Sequence, residues 1–489
     1  MLAIPILLVA VVLLARWYYK PGKTSPHKEG DLFPFPDHVR DHVVKPASLI
    51  RNAQAQCENI FSTRVLPVRK AWFRRSVLGN SHANIPAHAS PFAHGMGGLT
   101  SLTLAPTKTS QEQHVLPHVR CAQNISLNKI FDAGYIENAR ALVASLSRYI
   151  GRTEGQEHTS ECAVEETHRC ALEWTTRNNV ELFGGVSDMT QKTVVRTLMG
   201  EDFYGSSDEL LDLLHSMERD AGSVWTLVLP DWFPHPAARR LRHARIRVRE
   251  IVWDKLNQRY FAAQKGSLEA DLPDYITHIL SKTSTAPLRQ FLPSHLTALM
   301  FSAQNSIVAV VSWVVICLLR HPDVMNAVRR DARSGTSDQV LLQACIKETT
   351  RYYAGMKCLC LERQEVNRPD ADVVNPASYP YPDTWMPGRW LNADNKLVDL
   401  EDKGARAPSS TTSGDNGREC PGEKMAAIII TQTLTTLLRC YDITWASPDQ
   451  PRVVDFEALD FDHFGLPWLA GGLRVRVSRR VWPELAGGC

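Results

Sequence analysis

The segment SGDNGRECPG, residues 413–422, carries a cysteine in a setting suited to metal chemistry. Pro421 fits the first turn of a helix, so Cys420 stands at a helix N-terminus, where unpaired amides and the helix dipole lower the pKa of a thiol. Gly422 leaves room for a flat group beside the backbone, and Arg418 offers a fixed positive charge to a carboxylate. These features suit a haem iron and a haem propionate, or alternatively a reactive thiol in a surface loop.

A second group of polar residues interrupts an apolar segment. Residues 291–335 contain a run that is apolar on nearly all sides, which predicts a buried helix that ends near His321 and is followed by a basic helix. The polar residues within the run are Ser302, Gln304, Asn305 and Ser306. Because polar groups in a buried helix need hydrogen-bond partners, we expect this patch to meet other polar groups or a ligand. The hydropathy also allows a second membrane span, but the polar interruption argues against one.

Three further charged residues could pair in the folded chain. Glu348 and Arg351 lie three positions apart on a predicted helix, a spacing that brings both onto one face but that many helices share. Arg389 lies in a loop rich in proline and aromatic residues, 380–391.

The first residues predict a membrane anchor. Residues 1–15 are uncharged, and the aromatic residues that follow extend the run to nearly the ~20 residues of a spanning helix. A cleaved signal peptide would need a basic residue before the run and a small-residue cleavage site after it, and neither is present. Basic residues instead follow the run, which favours a cytosolic location for the rest of the chain. We therefore expect an anchor at 1–20 and one large domain at 21–489.

The composition bounds the possible partners. Of 489 residues, 44% are hydrophobic and 22% are charged, and the net charge is only +3, so a nucleic-acid partner is not expected. An arginine-rich amphipathic helix at 237–256 is compatible with either a solvated face or a membrane-surface role. The odd cysteine count of 11 in a cytosolic domain argues against disulfides.

The periodicity predicts a mainly α fold with minor β. Helical patterns dominate from about residue 125, whereas alternating strand-like patterns concentrate near the C-terminus, as in YDITW (441–445). Residues 24–120 show no clear pattern.

The combination of motifs resembles the cytochrome P450 family. Arg418, Cys420 and Gly422 match three positions of its F-x-x-G-x-R-x-C-x-G haem loop, in which Ser413 and Asn416 replace the phenylalanine and the first glycine. The family's E-x-x-R motif matches Glu348 and Arg351, and its F-x-P-E-R-W loop matches WMPGRW (385–390), where Gly388 replaces the glutamate. The segment 352–386 is short for this family, and its W-x-x-x-R haem contact is not found.

The resemblance implies a P450 fold, a single large haem domain after the N-terminal anchor, and roles for particular residues. Cys420 would be the metal ligand, the thiolate bound to the iron of haem b, and Arg418 and Gly422 would belong to the cofactor-binding loop. Asn305 and Ser306 would be the catalytic pair that manages proton delivery across the haem, with an amide in place of the family's acid. Glu348, Arg351 and Arg389 would form a buried charge cluster.

The implied activity is that of a haem-thiolate monooxygenase that acts on a lipophilic small molecule such as a sterol, terpenoid or polyketide, in secondary-metabolite biosynthesis. Its electrons would come from an NADPH-dependent cytochrome P450 reductase, for which Arg329, Arg330 and Arg333 form a candidate docking surface. The expected location is the endoplasmic reticulum membrane, with one span and a cytosolic catalytic domain. The alternatives are a haem-thiolate isomerase or dehydratase that needs no reductase, and a degenerate, non-catalytic family member.

Overall fold

The structure is a computed structural model. It describes residues 60–63, 71–74, 130–132, 134–221, 226, 233–264, 273–281, 283–333, 339–353, 379–381, 384–398, 420–447, 459–460, 468–469 and 471–480. The predicted anchor, the unpatterned segment apart from two short strands, and Arg418 with the rest of the loop before Cys420 lie outside these residues.

Helices make up most of the described chain. In order they are α1 (Tyr135–Ile150), α2 (Thr153–Thr176), α3 (Leu182–Met199), α4 (Ser207–Ala221), α5 (Pro236–Gln264), α6 (Tyr275–Leu280), α7 (Leu292–Arg320), α8 (Pro322–Arg333), α9 (Val340–Tyr353) and α10 (Glu423–Cys440). Short 3-10 helices span Glu201–Ser206, Thr283–Phe291 and Pro387–Trp390. The predicted helical fold is confirmed.

The strands are short and form small antiparallel sheets. They are β1 (Ile60–Thr63), β2 (Ala71–Arg74), β3 (Val180–Glu181), β4 (Tyr441–Trp445), β5 (Leu459–Asp460), β6 (Trp468–Leu469) and β7 (Arg474–Arg479). β7 lies between β3 and β4 in the three-stranded sheet, and its valines are buried while its arginines are exposed, as a two-residue period requires. The strands predicted near the C-terminus are present, whereas β1 and β2 had no recognisable sequence signal.

Helix α7 is the central element of the core. It packs against α3, α5, α9 and α10, and nearly every residue from Leu292 to Leu318 is buried. The segment Pro287–Arg320 is long and apolar enough to cross a membrane, but 78% of its most apolar window is buried inside the protein. Helix α7 ends near His321, as predicted: Arg320 is its last residue and His321 its C-cap, because Pro322 begins α8.

The N-terminal half of α7 is fixed by a buried imidazole. His295 is fully buried; the Tyr275 hydroxyl lies 2.9 Å from its Nε2, and the Tyr135 hydroxyl lies 3.3 Å from its Nδ1. Burial lowers the pKa of His295 to about 3, so the folded protein keeps the ring neutral. The three side chains join α1, α6 and α7.

This histidine predicts a loss of stability in mild acid. In the unfolded chain its pKa returns to about 6.5, so below that pH unfolding takes up a proton and the free energy of unfolding falls. Between pH 7 and pH 5 we expect the wild type to lose about 2 kcal/mol more than His295→Gln, which retains polar groups but does not titrate. Urea unfolding at both pH values measures the difference, and parallel losses in the two proteins would contradict it.

Gly200, which directly follows α3, leaves room for the buried ion pair of Arg259 and Asp274. Gly200 has φ +96°, and a Cβ atom there would overlap Arg259 Nη2 and lie 2.7 Å from Asp274 Oδ2. Arg259 is itself buried; it donates to Asp274 at 2.9 Å and to the Met199 carbonyl oxygen at 2.6 Å. Only glycine combines this backbone conformation with the required space.

We therefore expect Gly200→Ala to destabilise the protein by about 2 kcal/mol or more, through backbone strain and displacement of the Arg259 guanidinium. Gly205→Ala is the matched control, because no atom of the residues that the structure describes lies within 4 Å of the added Cβ, and its effect should stay within about 0.5 kcal/mol. Urea-induced unfolding followed by circular dichroism compares the two. Equal midpoints for both variants would refute this account of Gly200.

Candidate functional site

Cys420 stands immediately before α10. The Glu423 amide donates to the Cys420 carbonyl oxygen at 3.1 Å, and the Ala426 amide donates to that of Gly422 at 2.8 Å, so the turn through Pro421 leads directly into the helix. Cys420 is the exposed cysteine among those that the structure describes, since the others are buried. Cys420 therefore keeps exposed surface at the start of a helix whose own apolar face is buried.

The pKa of this thiol reflects two opposing effects. Surrounding protein raises it by desolvation, even though the residue has exposed surface. The amides of Gly422 and Glu423 lower it, as predicted for a helix N-terminus, but the Glu423 carboxylate adds to the upward shift. The predicted lowering by the amides of the helix N-terminus is therefore present, but desolvation outweighs it and the net change in the pKa of Cys420 is upward.

The residues that the structure describes leave the space beside Gly422 open. Among them, a Cβ atom built there would contact only Cys420 Sγ, at 4.0 Å. A flat group could therefore approach the backbone next to the sulfur, as predicted from the glycine at position 422.

A buried carboxylate organises the region before this site. Glu348 on α9 is fully buried and accepts hydrogen bonds from Arg351 Nε at 2.9 Å and Arg351 Nη2 at 2.8 Å. The loop 384–390 supplies three more donors: the Met386 amide at 2.9 Å, Arg389 Nε at 3.1 Å and Trp390 Nε1 at 2.9 Å. The structure thus brings together Glu348, Arg351 and Arg389, as the motifs predicted.

The glycine that interrupts the family's pattern in this loop is not crowded by the described part of the chain. A Cβ atom added at Gly388 meets no atom of the described residues within 4 Å. The loop is held instead by Trp385, whose Nε1 donates to Thr349 Oγ1 at 2.9 Å, and by Arg389, which donates to the Pro380 carbonyl oxygen at 2.9 Å.

Helix α7 has one face that the protein covers only in part. Four residues in its otherwise buried middle section are half-buried, and their spacing of three, one and three places them on a single face. They are Leu299, Ser302, Ala303 and Ser306. Three of these side chains, those of Ser302, Ala303 and Ser306, are small.

The two buried residues of the predicted polar patch on α7, Gln304 and Asn305, contact other helices. Gln304 Nε2 donates to the Ser187 carbonyl oxygen on α3 at 3.1 Å. Asn305 is buried, and its Nδ2 lies 3.4 Å from Oε1 of Glu218 on α4. Of the predicted catalytic pair, Ser306 therefore lies on the partly open face and Asn305 contacts α4. Glu218 did not emerge from the sequence, because its partner is distant in the chain.

No group of three His, Cys, Asp or Glu side chains that could hold a metal ion occurs among the described residues. The exposed Cys420 and the open space beside Gly422 fit a planar cofactor with one protein ligand, which is the donor set of a haem-thiolate site.

Comparisons with known proteins decide the family. A sequence model of the family described as Cytochrome P450 matches residues 153–367. The chain is 31% identical to cytochrome P450 monooxygenase pynD of Aspergillus niger, over 97% of this chain and 98% of that one. The chain belongs to the cytochrome P450 family. It is 31% identical to pyvB of Aspergillus violaceofuscus, also a cytochrome P450 monooxygenase, over 97% of this chain and 94% of that one.

The enzyme is a cytochrome P450 monooxygenase, and solved structures agree on its fold. The retinoic-acid-bound cyanobacterial CYP120A1 superposes with a TM-score of 0.58 at 16% identity, covering 89% of this chain and 95% of that one. The haem domain of cytochrome P450DA gives 0.58 at 13% identity, over 92% and 94% of the two chains. The family implies a haem iron with a thiolate ligand.

The Glu348 cluster makes a testable contribution to stability. Glu348→Gln keeps the size of the side chain but leaves the buried Arg351 without its nearest carboxylate, so we expect a loss of about 3–5 kcal/mol. Gly388→Ala in the same cluster should change stability by less than about 0.5 kcal/mol, because its Cβ meets open space among the described residues. Urea unfolding of both variants measures the difference, and a wild-type midpoint for Glu348→Gln would disprove the role of the cluster.

Proposed function

We propose that Cys420 is the axial thiolate ligand of haem b in an enzyme that oxidises a lipophilic small molecule with O2. The observation that carries the proposal is the exposed Cys420 at the start of α10, next to open space at Gly422. When bound, the haem supplies the oxidation chemistry, and the thiolate donates electron density to its iron. Arg418 and Gly422 complete the cofactor-binding loop in this proposal.

In this proposal the polar residues of α7 would face the bound haem and handle protons there. Ser306 lies on the partly open face, where a hydroxyl can hold water and exchange protons. Asn305, the residue before Ser306, is buried, and its proposed role is to orient the groups that it contacts, such as the Glu218 carboxylate. The proposed role of the pair is to manage protons while apolar surroundings exclude bulk solvent.

The substrate class follows from the apolar surroundings and the predicted anchor. The open face of α7 has no charged residue, which favours an apolar substrate such as a sterol, terpenoid or polyketide. Several relatives are fungal monooxygenases, which supports a role in secondary-metabolite biosynthesis. The anchor at residues 1–20 would hold the enzyme at the endoplasmic reticulum membrane, where lipophilic substrates partition.

An NADPH-dependent cytochrome P450 reductase is the proposed electron donor. Arg330 and Arg333 on α8 are exposed and suited to an acidic partner. Arg329 is not part of this surface: its side chain is only 12% exposed, and its Nη2 lies 3.4 Å from Asp442 Oδ1. The predicted cluster of three arginines is therefore reduced to two.

A carbon monoxide difference spectrum tests the iron ligand. Reduced, haem-loaded wild type should show the red-shifted Soret band of a thiolate-ligated haem, and Cys420→Ala should lack it. Cys317→Ala is the control, since that cysteine is buried on α7 and should leave the band intact. A folded wild type without the band, or a Cys420→Ala variant that keeps it, would overturn the assignment. Turnover of a hydroperoxide substrate without NADPH would instead indicate an isomerase or dehydratase.

A further inference from the structure

An acid is missing from α7 but present beside it. Asn305 occupies the position where the resemblance expects an acidic residue, and an amide side chain can donate and accept hydrogen bonds but cannot release a proton at neutral pH. Its Nδ2 donates to Glu218 Oε1 at 3.4 Å and to the Phe301 carbonyl oxygen at 3.3 Å. The carboxylate next to the buried amide thus belongs to another helix.

Glu218 is unexpected at its position in α4. The apolar face of this helix includes Leu211, Leu214 and Met217, all buried. Glu218 follows Leu211 by seven residues and Leu214 by four, so it occupies a place on that face where the periodicity predicts an apolar residue. A carboxylate on a core-facing position is costly unless it is hydrogen-bonded, and Asn305 provides such a contact.

Glu218 also retains access to water. It is half-buried, whereas Asn305 is only 3% exposed. A group that passes protons inward must be able to regain them from solvent, and Glu218 meets this requirement. Gln304 is less suited to passing protons, because its side chain is neutral and its amide nitrogen donates to the Ser187 carbonyl oxygen on α3.

We propose that Glu218 on α4 supplies protons to the reaction and acts through Asn305, in place of an acid on α7. This inference rests on the proposed function. Monooxygenation converts R–H, O2, two electrons from the reductase and two protons into R–OH and water. Each proton leaves the Glu218 carboxyl group, passes through water held near Asn305 towards Ser306, and is replaced at Glu218 from bulk solvent.

Glu218→Gln tests the proposal with little change in shape. The glutamine oxygen can still accept from Asn305, so the contact between α4 and α7 survives while the proton is lost. We expect product formed per NADPH to fall at least about tenfold, with the electrons released as hydrogen peroxide, and the solvent deuterium isotope effect to rise. Asp212→Asn, an exposed residue on the same helix, is the matched control and should behave as wild type.

The double variant Asn305→Asp/Glu218→Gln exchanges the two groups and returns the acid to α7. In the exchanged pair the new amide on α4 can donate to the new carboxylate on α7, so we expect product per NADPH to recover to within about threefold of wild type. The C–O stretch of the reduced, carbon-monoxide-bound protein provides a second readout. It should shift in Glu218→Gln and not in Asp212→Asn, because Glu218 contacts α7 through Asn305 whereas Asp212 is exposed.

The outcomes separate this inference from the proposed function. A wild type without the thiolate Soret band would overturn both. If that band is present, wild-type coupling and an unshifted C–O stretch in Glu218→Gln would overturn the inference alone. If the exchanged pair does not recover coupling, an acid at position 305 does not replace Glu218. The loss in Glu218→Gln would then come from its structural role in α4 and not from proton supply, which would also overturn the inference.

Discussion

The buried carboxylate of Glu348 is the interaction on which the rest of the site depends. It lies inside α9 and accepts hydrogen bonds from Arg351 on the same helix and from Arg389 and Trp390 in the following loop. Removing such a group would leave positive charge and several donors without a partner in the interior, which costs several kcal/mol. The cluster thereby fixes the loop 384–390 against α9, and α9 in turn packs against α7.

Helix α7 combines a closed and an open side. Most of its length fills the core, and His295 and Gln304 attach it through hydrogen bonds to α6 and α3. The half-buried face that includes Ala303 and Ser306 is an exception within this buried helix. In the proposed function, this half-buried face of α7 would form one wall of the haem site, and Cys420 at the start of α10 would be the ligand of the iron.

Much of the fold could be predicted from the sequence, because long periodic helices and a helix-breaking proline such as Pro322 act locally. The motif around Glu348 was also recognisable, since its residue types and order are specific. The pairing of Asn305 with Glu218 could not be predicted: it depends on how α4 crosses α7, which no local pattern encodes. The upward shift in the pKa of Cys420 was missed for a similar reason, because desolvation arises from tertiary packing.

X-ray absorption at the iron edge of the haem-loaded, full-length protein tests the central claim most directly. Thiolate ligation by Cys420 predicts one sulfur neighbour of the iron in the wild type and its replacement by an oxygen or nitrogen neighbour in Cys420→Ser. Retention of the sulfur neighbour in that variant, or its absence from the wild type, would contradict the claim that Cys420 holds the haem iron.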